Sequence, residues 1–460
     1  MVLLAEDVAP AVDTGNTAWL LVSSALVLLM TPGLAFFYGG LNRSKSVLNM
    51  MMMSFSSIGL ISILWLMYGF SGAFGKDQPI GDNAGVIGNL SQYIGTKTFV
   101  SEFGYPNGFP GVNASIPTYV ILVFQMMFAV ITVALISGAI SDRTKFIGWL
   151  LFAAGWFTLA YVPIAHMVWG GGYLGITVGE LDFAGGSAVH INAGAAALAL
   201  AIILGKRVGW PQAAFKPHNV PFVALGAGLL WFGWFGFNAG SEQTVDAVTA
   251  IAFVNTQVAT AGALMGWILV EWIRNGRPTL VGASSGAVAG LVAITPACAF
   301  ITPWASILLG LVAGILCSLA IGLKYLLKFD DSLDVFGVHF VGGWIGCIWI
   351  GFFATSQSGW VYAPADGGVG HEGLLYGGGS TQLIAQLQGA AIVSVWSFVV
   401  AFVLGFILKA IGLLKVKEEH QEELDLHQHK ESAYESALTA SGYAEVGAHS
   451  ADKPSQPAGV

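Results

Sequence analysis

The chain has 460 residues, 55% of them apolar and only 10% charged, where soluble domains carry about 25% charged residues; a water-soluble enzyme or binding module is excluded. The net charge is −8, with no basic patch, which argues against a nucleic-acid partner. The 61 glycines suit membrane helices, whose backbones approach closely where side chains are small.

The N-terminus, MVLLAEDVAPAVD, lacks a basic segment and carries Glu6, Asp7 and Asp13, so no cleaved signal peptide is expected. A spanning helix needs about 20 apolar residues. Such runs predict spans near 17–39, 48–74, 116–140, 146–169, 185–205, 219–240, 247–273, 279–297, 304–327, 335–356 and 385–413. The reading is therefore an all-α polytopic membrane protein of about eleven helices, with its termini on opposite sides. Arg43, Lys45, Arg143, Lys145, Lys206, Arg207, Lys216, Arg274, Arg277, Lys324 and Lys328 all fall on the side shared with the C-terminus. Positive residues mark the cytoplasmic side, which places the N-terminus outside. The divisions are an external segment 1–16, a membrane domain 17–414 and a cytoplasmic tail 415–460. Two long external connections, 75–115 and 357–384, read as solvated loops. Cys298, Cys317 and Cys347 lie in apolar runs without metal-ligand spacing and read as buried small hydrophobes. No metal or other cofactor is expected.

Ionisable residues within membrane-length apolar runs are functional candidates. His190 and His339 are two of them. LDFAGGSAVH and LDVFGVH share an aspartate, a glycine and a histidine, at spacings of eight and five residues from Asp182 and Asp334. Their spans run in opposite directions, as an inverted five-helix repeat followed by a final helix requires, and such repeats place a site at the midplane. Counting 1.5 Å per residue from Asp182 and from around Asp331, each histidine lies ~12 Å inside its surface, so the imidazoles can meet. Phe124, Phe128, Trp169, Trp231, Trp234 and Phe237 supply aromatic faces that attract a small cation, and Ser241 offers a hydroxyl.

The motifs FFYGGLNRSKSVLNMMM, AHMVWGGG, LDFAGG, VHINAG, WFGFNAGS, FVNTQVATAGA, VEWIRNGRPTLVGASSGAVAGLVAITPACAF and DVFGVH together resemble the ammonium transporter (Amt/Mep/Rh) family, of the bacterial and archaeal type. The resemblance implies a homotrimer with one narrow apolar pore per protomer. Phe128, Trp169 and Ser241, with Phe124 nearby, would match the external ammonium-recruiting site; Phe128 and Phe237 the stacked phenyl gate; His190 and His339 the paired pore histidines. Asp182 matches the aspartate beneath the recruiting site, and Trp234 and Asp334 are taken as support. The expected activity is ammonium uptake across the cytoplasmic membrane, not catalysis. An ammonium sensor signalling through the tail and a neutral gas or water channel are the alternatives. A membrane cytochrome with the two histidines on haem is the remote one.

The tail segment LKVKEEHQEELDLHQHKESAY resembles the family's regulatory tail, which cooperates with a PII-type signalling protein. Glu423 and Lys430 stand where the family commonly has glycine. The resemblance implies a tail packed on the cytosolic face, and a Cβ and a charge where the backbone needs positive φ would strain that docked conformation. Residues 440–460, rich in Ser, Ala, Gly and Pro, are expected to be disordered.

Overall fold

A computed structural model describes residues 12–96, 104, 115–212, 215–359 and 372–434. Among these residues all regular structure is helical, apart from isolated bridges such as Asp77 with Gly88. Ten helices are long and apolar enough to cross a membrane. They are α1 (Thr14–Leu41), α2 (Val47–Phe74), α3 (Thr118–Ile140), α4 (146–169), α5 (Gly186–Leu204), α6 (Val220–Glu242), α7 (Ala247–Asn275), α9 (Pro303–Leu327), α10 (Phe336–Phe353) and α11 (Thr381–Ala410). The predicted eighth span, 279–297, is the shorter helix α8 (Leu280–Ile294) of 15 residues. The apolar run continues past Ile294, but Pro296 has no N–H to donate and disfavours helical backbone at the residue before it. Hydropathy alone therefore overshoots the helix.

Polar residues fix where the helices begin. Asp13, Asn219, Thr279 and Thr302 each accept a hydrogen bond from a first-turn N–H, and Asp246 forms a reciprocal capping box with Thr249. These bonds satisfy donors that the helix itself leaves unpaired. In the bundle α1 packs along α6, α7 along α8 and α9, and α11 along α5 and α10. At Gly194 of α5 a Cβ would lie 2.6 Å from the Phe340 backbone nitrogen, so only glycine lets α5 and α10 approach this closely beside their histidines. Cys298, Cys317 and Cys347 are buried and unbridged.

One end of the bundle gathers the connections that the Lys and Arg pattern assigned to a single side. Arg207 pairs bidentately with Asp330, through Nε (2.9 Å) and Nη2 (2.9 Å), and reaches Asp142 through Nη1 (3.0 Å). Asp142 also receives Arg43 at 3.3 Å, and Arg143 lies 3.9 Å from Asp330. Burial raises the Asp330 carboxyl, but the Arg207 hydrogen bonds and the Arg143 charge outweigh it and hold the group below its ordinary range. Burial lowers the Arg143 guanidinium to about 10. Removing one partner of a buried charge cluster leaves the others unpaired, so Asp330→Asn is expected to cost about 3–5 kcal/mol. A melting temperature equal to wild type in detergent would refute that.

The tail docks on this same end, and neither Glu423 nor Lys430 prevents it. Val416 donates to the Arg143 carbonyl, and the Asp425 carboxylate caps α2 by accepting from the N–H groups of Leu48 (2.9 Å) and Asn49 (2.8 Å). Gln421 accepts from Arg43 through its carbonyl, and the His429 ring packs on Phe146. Glu423 has φ −132°, ordinary for any residue, and its carboxylate meets Lys45 at 3.1 Å. Lys430 does take φ +56°, capping the short helix α12 (Leu424–His429). One lysine in that region costs about 1–2 kcal/mol, less than the anchoring bonds supply together. Residues 440–460 lie outside the described residues, as do most of 97–114 and all of 360–371.

Candidate functional site

The site is built on two interrupted helices. Asp182 sits in the linker before α5 and caps its start with both oxygens. Oδ1 accepts from the N–H groups of Gly185 (2.7 Å) and Gly186 (2.6 Å). Oδ2 accepts from the Ser187 N–H (2.8 Å), the Ser187 hydroxyl (2.8 Å) and the Ala188 N–H (3.0 Å). The first turns of α5, Gly186–Ile191, are π-helical, with the His190 N–H bonded to the Gly185 carbonyl. In α10 the same widened turn, Phe336–Phe340, carries His339. Such segments are rare and recur at functional sites.

The second half corrects the repeat read from sequence. Asp334 is not the counterpart of Asp182. Its carboxylate lies 2.6 Å from Lys324 Nζ, at a backbone φ of +64°. Asp331 takes the capping role, accepting from the Phe336 N–H at 2.7 Å. It precedes His339 by the same eight residues that separate Asp182 from His190. Burial, then the neighbouring Asp334, pushes the Asp331 carboxyl up to about 6. That spacing was legible in DDSLDVFGVH, but the nearer LD pair masked it.

Between the caps the predicted rings come together as one column. Trp169 and Phe128 meet edge to face at 6.0 Å, and Phe128 stacks on Phe237 at 4.2 Å. Phe237 lies 6.2 Å from the His190 ring, nearly parallel, and His190 lies 5.4 Å from His339. The two Nδ1 atoms are 3.3 Å apart, so one ring donates and the other accepts. Each ring then turns its second nitrogen elsewhere, and His190 Nε2 has no protein partner. Trp234 stacks on His190 at 5.4 Å and donates its indole N–H to Thr295 Oγ1 at 2.8 Å, which sequence reasoning did not foresee.

Exposure runs from one end of the column to the other. Trp169 and Ser241 are half-buried at the mouth, whereas Phe124, Phe128, Phe237, His190 and His339 are at most 3% exposed. Phe124 packs 4.9 Å from Phe128 and is fully buried. Trp169 donates its indole N–H to the Asp182 carbonyl (2.8 Å), and Ser241 donates to the Phe237 carbonyl (2.8 Å), which leaves the hydroxyl lone pairs free to accept from a ligand. Beyond His339, towards the tail-bearing end, a cavity of about 110 Å³ opens between Trp267, Glu271, Ser285 and Asp334.

A bundle of membrane-length helices enclosing a narrow column of aromatic and imidazole rings is the architecture of a multi-pass membrane protein. Residues 18–434 match the Ammonium Transporter Family. The chain is 51% identical to an ammonium transporter of Mycobacterium tuberculosis, covering 93% of this chain and 92% of that one, and 46% identical to one of Aquifex aeolicus (92% and 94%). Among solved structures it superposes on Mep2 of Candida albicans with a TM-score of 0.78 at 33% identity (89% and 88% covered). It also superposes on a protein described as a sensor Amt protein, with a TM-score of 0.79 at 28% identity (90% and 98%). The chain belongs to the Ammonium Transporter Family.

Proposed function

We propose that the protein carries ammonium into the cell across the cytoplasmic membrane. The observation that carries this reading is the continuous ring column Trp169–Phe128–Phe237–His190–His339. Moving a bare cation through an apolar interior costs tens of kcal/mol by Born solvation. A neutral molecule passes far more easily. Ammonium is held at the mouth by the faces of Trp169 and Phe128 and by the Ser241 hydroxyl, a setting in which cation–π attraction contributes about 0.5–2 kcal/mol. It loses its proton there. Ammonia then moves past the Phe128–Phe237 pair, which must turn aside, and along the histidines, where Nδ1–H and bare nitrogen alternate as donor and acceptor. It is reprotonated in the cavity beyond His339. The proton crosses separately along the imidazole pair, so transport is electrogenic.

The test is the current evoked by an ammonium jump across proteoliposomes holding the purified protein. A saturable inward current is expected; internal alkalinisation without current would reduce the pore to a neutral channel. Trp169→Leu is expected to raise the half-saturating ammonium concentration about twofold to thirtyfold, the range of a lost cation–π contact. An unchanged half-saturation would remove the recruiting role.

The docked tail favours a second reading as an ammonium sensor with little flux. Deleting residues 415–460 separates the two, since flux that survives the deletion belongs to a transporter. A homotrimer, and a PII-type protein at the tail-bearing face, complete the proposal. Exposed apolar residues such as Trp272, Ile273 and Trp304 give the bundle faces on which lipid or a second copy packs.

A further inference from the structure

The motif AHMVWGGG holds a histidine and three glycines that the ring column does not use. His166 is 0% exposed, one turn before Trp169 in α4. Its Nδ1 donates to the Ala73 carbonyl at 2.9 Å, and its Nε2 lies 2.8 Å from Asp77 Oδ1. A carbonyl only accepts, so Nδ1 carries a hydrogen. Nε2 and the Asp77 carboxylate face each other at hydrogen-bond distance, and a bond with an ionised member is about twice as strong as a neutral one. Asp77 in turn accepts the Gly85 N–H on both oxygens, each at 2.9 Å. The chain leaving Trp169 then wraps around this imidazole. Gly170 and Gly172 donate to the His166 carbonyl at 2.9 and 3.1 Å, and Tyr173 donates to Gly85 at 2.8 Å. A Cβ at Gly170 would lie 2.0 Å from the Ala73 oxygen and 2.6 Å from His166 Nδ1; at Gly172 it would lie 2.8 Å from His166 Cδ2. The glycines are thus required by the ring they enclose. The wrap ends α4 at Trp169, where the indole reaches the Asp182 carbonyl.

We propose that His166 and Asp77 form a strut that positions Trp169, tying the last turn of α4 to the connection after α2 and so setting the pose of the indole in the recruiting site. Neither residue touches the ligand. The inference rests on the recruiting role of Trp169 and extends the site to a second layer anchored by the 75–96 segment. That segment was expected to be a solvated loop.

The experiment compares half-saturation and maximal current of Asp77→Ala, His166→Ala, Asp77→Asn and Trp169→Leu in proteoliposomes. Both alanine variants are expected to raise half-saturating ammonium roughly tenfold with maximal current within about twofold, the pattern of lost binding and not of a lost pore. Asp77→Asn is expected near wild type, because its amide N–H can donate to a neutral Nε2 and keep the strut closed. If His166→Ala does not yield folded protein, Asp77→Ala decides, since the Asp77 side chain is 23% exposed at the rim. Unchanged half-saturation in Asp77→Ala while Trp169→Leu shifts it overturns the strut alone. Reduced maximal current at unchanged half-saturation assigns the pair a purely structural role and also overturns it. No shift in Trp169→Leu overturns the recruiting reading itself, and the strut with it.

Discussion

His190→Ala is expected to abolish the saturable ammonium-evoked current, by about a hundredfold or more, the scale of a lost proton-transfer group. The ring stands between Phe237 and His339, and its Nδ1 lies 3.3 Å from the Nδ1 of His339. Alanine breaks that link, strands the His339 nitrogen and opens a void beneath the phenyl pair. Ammonia still crosses the widened pore without its proton, so internal alkalinisation appears as the current vanishes. Folding is expected to survive, because no helix cap depends on this side chain. The check is paired recording of current and internal pH on the same vesicles. Wild-type current and selectivity in the variant would remove the proton route along the histidines.

Asp182→Asn is expected to act on the architecture before it acts on transport. The carboxylate accepts five hydrogen bonds within one turn of chain. An amide in its place turns an NH2 group toward at least two of those donors. Each buried donor left unpaired costs about 1–3 kcal/mol, set against a typical total stability of about 5–15 kcal/mol. The first turn of α5 would open and carry His190 out of register with His339. Loss of monodisperse protein, or a markedly lower melting temperature in detergent, is the expected measurement. A variant as stable as wild type would show that the cap is dispensable. The contrast with His190→Ala, stable but without current, separates support from pore.

Particular residues show how far the sequence could be read. The helices follow from runs of apolar residues, because backbone within a bilayer must satisfy its own hydrogen bonds. Where proline interrupts such a run, as at Pro296, the run and the helix part company. The column Trp169–Phe128–Phe237–His190–His339 was assembled from motifs alone, and the structure brings each of its members into contact with the next. The partner of Asp182 in the second half was misread, since spacing to the histidine was weighed on the LD pair and not on which carboxylate meets free N–H groups. The strain weighed at Glu423 and Lys430 did not decide the tail, for a related reason. Its anchoring depends on Leu48, Asn49, Arg43 and Arg143, nearly three hundred residues or more earlier in the chain, and no local pattern encodes that.

The sequence by itself determined that this is a membrane protein of the Ammonium Transporter Family, because hydropathy is local and the motifs are dense. Only the tertiary structure decided which charges are buried together, such as Arg207 with Asp330 and Asp142, and which capping carboxylate serves which turn. Those pairings stabilise only when water is excluded from both partners at once. That exclusion is a property of packed helices and not of any stretch of chain.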